Sequence, residues 1–132
     1  GQTLLNFRLP KTERLLKPAE FRSVYAVGKR YEGRFMTVFI MPSETSVQRF
    51  GATASKKIST KAHDRNRAKR LLRETFRLSR AELVELTTKY DWVLNARRSL
   101  LRVKLGEPLA EFRGIIEKVK IYESRKGENT SK

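Results

Sequence analysis

The chain has 132 residues carrying 30 Lys plus Arg against 14 Asp plus Glu, and its formal charge of +16 implies a polyanionic partner that relieves self-repulsion, nucleic acid first among them. With 39% hydrophobic residues, seven Phe and four Tyr it can build one core, which separates it from basic tails that lack aromatics. The absence of cysteine and the single His63 exclude disulfides, thiolate nucleophiles and the usual zinc sites, and no apolar run approaches the ~20 residues of a spanning helix. Residues 1–10 hold one short apolar patch around Leu4 and Leu5, without the long apolar region or small-residue cleavage site of a secretory signal, so a cytoplasmic location is expected.

Residues 18–28 read as a short helix, with Pro18 at an early position that needs no amide donor and Gly28 as the stop. Phe21 and Tyr25 then lie one turn apart, as ordinary core packing or as a stacking platform for unpaired bases, with Arg22, Lys29 and Arg30 close in sequence. Residues 34–41 and 49–55 are strand-like and flank the polar turn at residues 42–46. A long helix is predicted over residues 62–86 and a strand over 91–97. A last helix starts at Pro108 and aligns Leu109, Phe112, Ile116 and Val119 on one face. Residues 124–132 are polar and aperiodic and read as a disordered basic tail. The order describes an α+β sandwich of helices on a small mixed sheet.

The densest signal is Lys56 and Lys57 followed by the basic run over residues 65–77. At about 100° per residue, Arg65, Asn66, Lys69, Arg70, Arg73, Arg77 and Arg80 share one sector, while Ala68, Leu71, Leu72 and Leu78 lie outside it and Arg67 and Glu74 near the boundary. A solvated charged face is the ordinary alternative, but such faces mix signs, and here Asp64, Glu74 and Glu82 are few beside an Arg-rich cluster suited to phosphate oxygens. Asn66 suits a sugar hydroxyl or base edge, or braces the helix start. No paired-carboxylate constellation suggests a nuclease centre, and His63 is given no catalytic role. A general ribosomal or chaperone-type RNA binder and a DNA-binding protein remain as rivals on composition alone.

Lys56-Lys57, Ala62, Arg65-Asn66-Arg67, Lys69-Arg70, Arg73-Glu74 and Phe76-Arg77 resemble the RNR signature of bacterial ribonuclease P proteins. Arg14-Leu15-Leu16, Phe21, Tyr25, Gly28, the strand over residues 51–55 and the stretch over 91–97 resemble the family in the same order, across residues 6–122. The resemblance implies an α-β-β-β-α-β-α two-layer sandwich related to a ribosomal S5 domain, with a left-handed strand-helix-strand crossover against the usual right-handed rule. One domain over residues 1–123 is then expected, its first ten residues a candidate flexible start.

It also implies a catalytic RNA as partner and precursor tRNA as substrate, with magnesium ions on the RNA and no catalytic residue, metal or cofactor on the protein. No membrane or further protein partner is required. By the same resemblance, Lys56, Lys57, Arg65, Asn66, Arg67, Lys69, Arg70, Arg73 and Arg77 bind RNA, and Phe21, Tyr25, Thr37, Phe39 and Tyr122 hold the single-stranded 5′ leader of the precursor. Leader removal then forms the mature tRNA 5′ end.

Overall fold

The structure is a computed structural model that describes residues 9–130, with side chains to residue 126. Residues 1–8, which include most of the expected flexible start, and residues 131–132 of the expected tail lie outside the described residues. After a single 3-10 turn at Lys11–Glu13, Pro18 opens helix α1 (Pro18–Val27). The Glu20 carboxylate accepts the amides of Leu16 and Lys17 at 2.9 Å each, satisfying donors that a helix start leaves without partners.

Gly28 joins α1 directly to strand β1 (Lys29–Glu32), and a Cβ there would collide with the carbonyl oxygens of Val24 and Ile40. Strand β1 is not legible in the residues, because Lys-Arg-Tyr-Glu is mostly exposed and shows no apolar alternation. It pairs antiparallel with β2 (Met36–Pro42), whose partner on the far side is β4 (Tyr90–Ala96), also antiparallel. Strand β3 (Arg49–Thr53) lies parallel to β4, giving the order β1-β2-β4-β3. The parallel pair is bridged by helix α2 (Ala62–Leu78) and the single-turn helix α3 (Arg80–Leu83). Helix α4 (Gly106–Thr130) closes the chain after a 3-10 segment at Arg98–Arg102.

The two faces of the sheet are set by strand alternation. Met36, Val38, Ile40, Phe50, Trp92 and Leu94 face α2 and α4, and there they meet Ala68, Leu72, Phe76, Phe112, Ile115, Ile116 and Val119. Trp92 is the hub of that core, with ring centroids 6.4 Å from Phe76, 5.4 Å from Phe112 and 5.9 Å from Tyr90. Its indole N–H donates to Gln48 Oε1 at 2.7 Å, and the same oxygen accepts the Tyr90 amide at 2.8 Å. On the opposite face a smaller cluster of Leu15, Val24 and Val93, joined by Phe21, Phe39 and Met41, holds α1.

Two features depart from the periodicity. The long helix predicted through residue 86 stops at Leu78, because buried Ser79 turns its hydroxyl back onto the Thr75 carbonyl at 2.8 Å and its amide bonds Phe76. Breaking there lets Leu83 and Leu86 enter the core. Helix α4 continues through Thr130, so residues 124–130 are helical where a disordered tail is expected. Glu123 still anchors the helix, accepting the amides of Thr87 and Thr88 and the Tyr90 hydroxyl, and further turns add at one hydrogen bond per residue.

Replacing Gln48 by Ala strands the indole and Tyr90 donors in the core and is expected to destabilise the fold by about 2 kcal/mol. Urea denaturation should show a lower midpoint with an unchanged slope. The amides of Lys17 and Leu16 together with Arg49 hold the Glu20 carboxyl below its ordinary value of 4.5, so the folded state binds this proton less readily than the unfolded chain. Its stabilisation is complete above that value and is lost as pH falls through the folded-state pKa. The Glu20→Gln variant is therefore expected to lose stability less steeply than the parent on acidification below about pH 4.5 in thermal melts.

Candidate nucleic-acid interface

Helix α2 buries Ala68, Leu72, Thr75 and Phe76, at spacings of four, three and one, and this fixes which side chains it presents outward. Asn66, Lys69, Arg70 and Arg73 are exposed and line one wall of a groove of about 420 Å³. Arg14, Leu15 and Leu16 form the opposite wall, and Phe21, Phe50, Gly51 and Ala52 form the floor. Lys56 and Lys57 are exposed in the turn after β3. A short loop separates them from the start of α2.

The remaining arginines assigned from the sequence make internal contacts. Arg65 is half-buried and donates to the Ser59 carbonyl at 3.0 Å, which braces the loop leading into α2. Arg67 points to the far side and donates to the carbonyls of Leu101 and Val103, both at 3.3 Å. Arg77 is paired with Glu74 at 2.6 Å and its side chain is only 13% exposed. Arg80, placed on the ridge by helical periodicity, lies beyond the break at Ser79 and pairs instead with Glu13 at 2.8 Å. The outward ridge of α2 is thus Asn66, Lys69, Arg70 and Arg73.

A second feature adjoins the groove on the α1 face of the sheet. Phe21 packs so closely over Gly51 that a Cβ at that position would lie 2.5 Å from the ring, so the absent side chain makes room for the aromatic. One turn on, Tyr25 meets Phe39 edge to face with centroids 5.0 Å apart, and the Arg30 guanidinium sits 5.7 Å over the Phe39 ring. The Tyr25 hydroxyl donates to Asn95 Oδ1 at 2.8 Å and Thr53 donates to the same oxygen at 2.6 Å. With that oxygen doubly occupied, the Asn95 amide nitrogen is the group left to address a ligand. Thr37 lies beside Asn95 in the β2–β4 register. Phe21, Tyr25, Phe39, Thr37, Thr53 and Asn95 therefore form an aromatic trough with polar groups at one end.

Phe21 belongs to both features, so ridge, groove and trough form one continuous surface. Tyr122 does not join it. This residue is on α4, on the opposite face of the sheet, with the Lys29 ammonium 4.6 Å from its ring centroid. His63 is largely exposed beside Asp64, whose carboxyl is lowered chiefly by the Ser59 hydroxyl donating to it. Among the described residues, no three Asp, Glu or His side chains come together as metal ligands.

Asn95 and Thr53 are trough residues that sequence reasoning misses, whereas Arg30 is one of the cations that it places beside the aromatic pair. The available signal is alternation. Asp91, Val93 and Asn95 share one strand face, and a polar amide ending that row beside Thr37 and Thr53 marks an uncovered part of the sheet.

A family model described as Ribonuclease P matches residues 9–120. The chain is 36% identical over 115 residues to the ribonuclease P protein component of Caldanaerobacter subterraneus, covering 87% of this chain and 96% of the relative. It is 33% identical over 109 residues to that of Clostridium kluyveri, covering 83% and 96%. Among solved structures, the Staphylococcus aureus RNase P protein superposes with a TM-score of 0.70 at 24% identity over 83% of this chain and 97% of that one. The Thermotoga maritima RNase P protein gives 0.69 at 24% identity over 80% and 96%. These two likenesses concern the fold, which agrees with the α+β class expected from the sequence, whereas the family match and the closer relatives establish membership. The chain belongs to the ribonuclease P protein component family.

Proposed function

We propose that this chain is the protein subunit of a ribonuclease P in the cytoplasm, docking on a catalytic RNA through the α2 ridge and holding the 5′ leader of precursor tRNA in the aromatic trough. The observation that carries this reading is the continuity of the two surfaces through Phe21, which lines the groove beside Arg70 and Arg73 and packs in the cluster that contains Phe39. A cationic wall beside a row of aromatic rings suits a chain of phosphates whose bases are unpaired.

Each part of the surface has a separate task. Lys56, Lys57, Lys69, Arg70 and Arg73 neutralise phosphates where two RNA backbones approach one another, lowering their mutual repulsion. Asn66, exposed between them and flanked by the braced Arg65 and Arg67, offers an amide to a ribose or base edge. Phe21, Tyr25 and Phe39 contribute stacking or edge contacts, Asn95 donates, and Thr37 offers a hydroxyl. Magnesium ions held by the RNA subunit supply the hydrolytic chemistry, and the protein binds no cofactor of its own. Its contribution is to make a substrate with a leader bind better than a product without one.

The decisive experiment is precursor-tRNA cleavage at low magnesium by a bacterial ribonuclease P RNA, with and without this protein, beside the protein alone. Stimulation only in the combined reaction is expected. Cleavage by protein alone, or RNA binding without stimulation, would overturn the assignment.

Arg70→Ala and Arg73→Ala are each expected to weaken assembly with the RNA and to reduce the slope of log affinity against log salt by about 0.7–0.9. The check is a filter-binding or fluorescence titration over a salt series. Tyr25→Ala removes a ring worth about 1–3 kcal/mol if a base stacks on it, and should lower affinity for precursor tRNA while leaving mature tRNA unchanged. Equal losses on both RNAs would remove Tyr25 from the leader site.

A further inference from the structure

The face of the sheet opposite the trough carries a second patch where aromatic and cationic groups meet. Lys29 and Tyr31 stand on the α4 side of β1. The Lys29 ammonium lies 4.6 Å from the Tyr122 ring centroid and 5.5 Å from that of Tyr31, and the Lys126 ammonium is 5.9 Å from Tyr122. A depression of about 470 Å³ lies on one side of Tyr122, reaching Val27, Pro42 and Thr88. Another of about 290 Å³ lies on the other side, bordered by Lys118, Ile121 and Arg125.

The charge balance of this patch is one-sided. Lys29, Lys118 and Arg125 make no ion pair among the described residues. The carboxylate at its margin, Glu123, is already engaged by two amides and the Tyr90 hydroxyl. Ile121 is 50% exposed and Tyr122 37%, so apolar surface is open between the cations. Open aromatic and aliphatic surface edged by uncompensated cations fits an unpaired nucleotide strand, with phosphates on the ammonium and guanidinium groups and sugars or bases on the apolar floor.

The position of the patch says which strand. Strand β1 is four residues long and forms the outer edge of the sheet, with one side unpaired. Arg30 stands on the trough face over Phe39, and its neighbour Lys29 stands on the patch face over Tyr122. An RNA strand leaving the trough past Arg30 has only the free edge of β1 to cross before it meets Lys29.

We propose that the distal part of the single-stranded 5′ leader, beyond the nucleotides held in the trough, wraps over the edge of β1 and binds along Lys29, Tyr122, Lys118 and Arg125. The proposal rests on the trough being the leader site, and it gives Tyr122 a leader contact on a face separate from Phe21, Tyr25 and Phe39.

The test measures binding of the reconstituted RNA–protein holoenzyme to precursors with no leader, a leader of about 4 nucleotides and one of about 12, across a salt series. The Lys29→Ala, Arg125→Ala double variant and, separately, Lys118→Ala are compared with the parent; all three side chains are exposed, and thermal melts verify folding. The expected result is loss of the long-leader advantage, with the salt slope for the long leader alone falling by about 0.7 per cation removed. The gain of the short leader over no leader should be retained. An undiminished long-leader advantage, or equal losses on all three substrates, overturns the proposal. A parent without leader-length dependence overturns both the patch and the trough. A parent that gains only from the long leader, through Lys29 and Arg125, overturns the trough reading and with it the path over the edge of β1, leaving the patch alone as a leader contact.

Discussion

The open trough depends on how Arg49 ties one end of α1 to the sheet. Its guanidinium spans Asp91 with two bonds of 2.8 Å and reaches Glu20 on α1 with a third of 2.9 Å. Asp91 is almost wholly buried, so neither charge is tolerable alone, and removing one partner of such a pair typically costs about 3–5 kcal/mol. The three residues lie on three elements, β3, β4 and α1. They fasten the start of α1 over the Met41–Asp91–Arg49 row, Val24 covers Val93, and the helix then ends. Phe39, at the end of the Val93 row, and the next row of Thr37, Asn95 and Thr53 are left for Tyr25 to overhang.

The ridge has a similar origin in burial. Phe76 packs against Phe50, Trp92 and Phe112, and Leu72 and Ala68 follow one and two turns earlier, so α2 cannot rotate about its axis without emptying the core. Arg67 fixes the helix from behind through the carbonyls of Leu101 and Val103, at the end of the 3-10 segment that follows β4. Positive charge is thus held at a set angle by apolar packing and backbone hydrogen bonds, and Lys69, Arg70 and Arg73 reach the groove wall as a consequence.

The α2 ridge was legible in the sequence because a 3.6-residue period separates Ala68, Leu72 and Phe76 from Asn66, Lys69, Arg70 and Arg73 without reference to anything else in the chain. Helix α1 was legible from Pro18 and Gly28. What escaped depends on neighbours distant in sequence. Periodicity gives the angle of Arg65, Arg67 and Arg77 on the helix, but not the carbonyls of Ser59, Leu101 and Val103 or the local pairing of Arg77 with Glu74. The break at Ser79 needs a buried hydroxyl to turn back on the helix, and residues 79–86 otherwise look helical. Strand β1 exists because β2 offers it an edge, and the role of Asn95 exists because Tyr25, 70 residues earlier, delivers a hydroxyl to it. Helical spacing offered Phe21 and Tyr25 as a pair, and resemblance to the family supplied the third strand and joined Thr37 and Phe39 to that pair.

The junction at Gly28 bears on how fast such a surface can be used. With no loop between α1 and β1, and with the Gly28 amide still bonded to Val24 at 2.8 Å, the helix cannot swing as a lid without dragging the edge strand out of register with β2. The rings that line the trough are therefore in place before any ligand arrives. Little ordering entropy remains to be lost on association, and no opening step precedes it. Encounter should then be governed by the long-range field of a chain with net charge +16, in the regime where ionic strength sets the association rate.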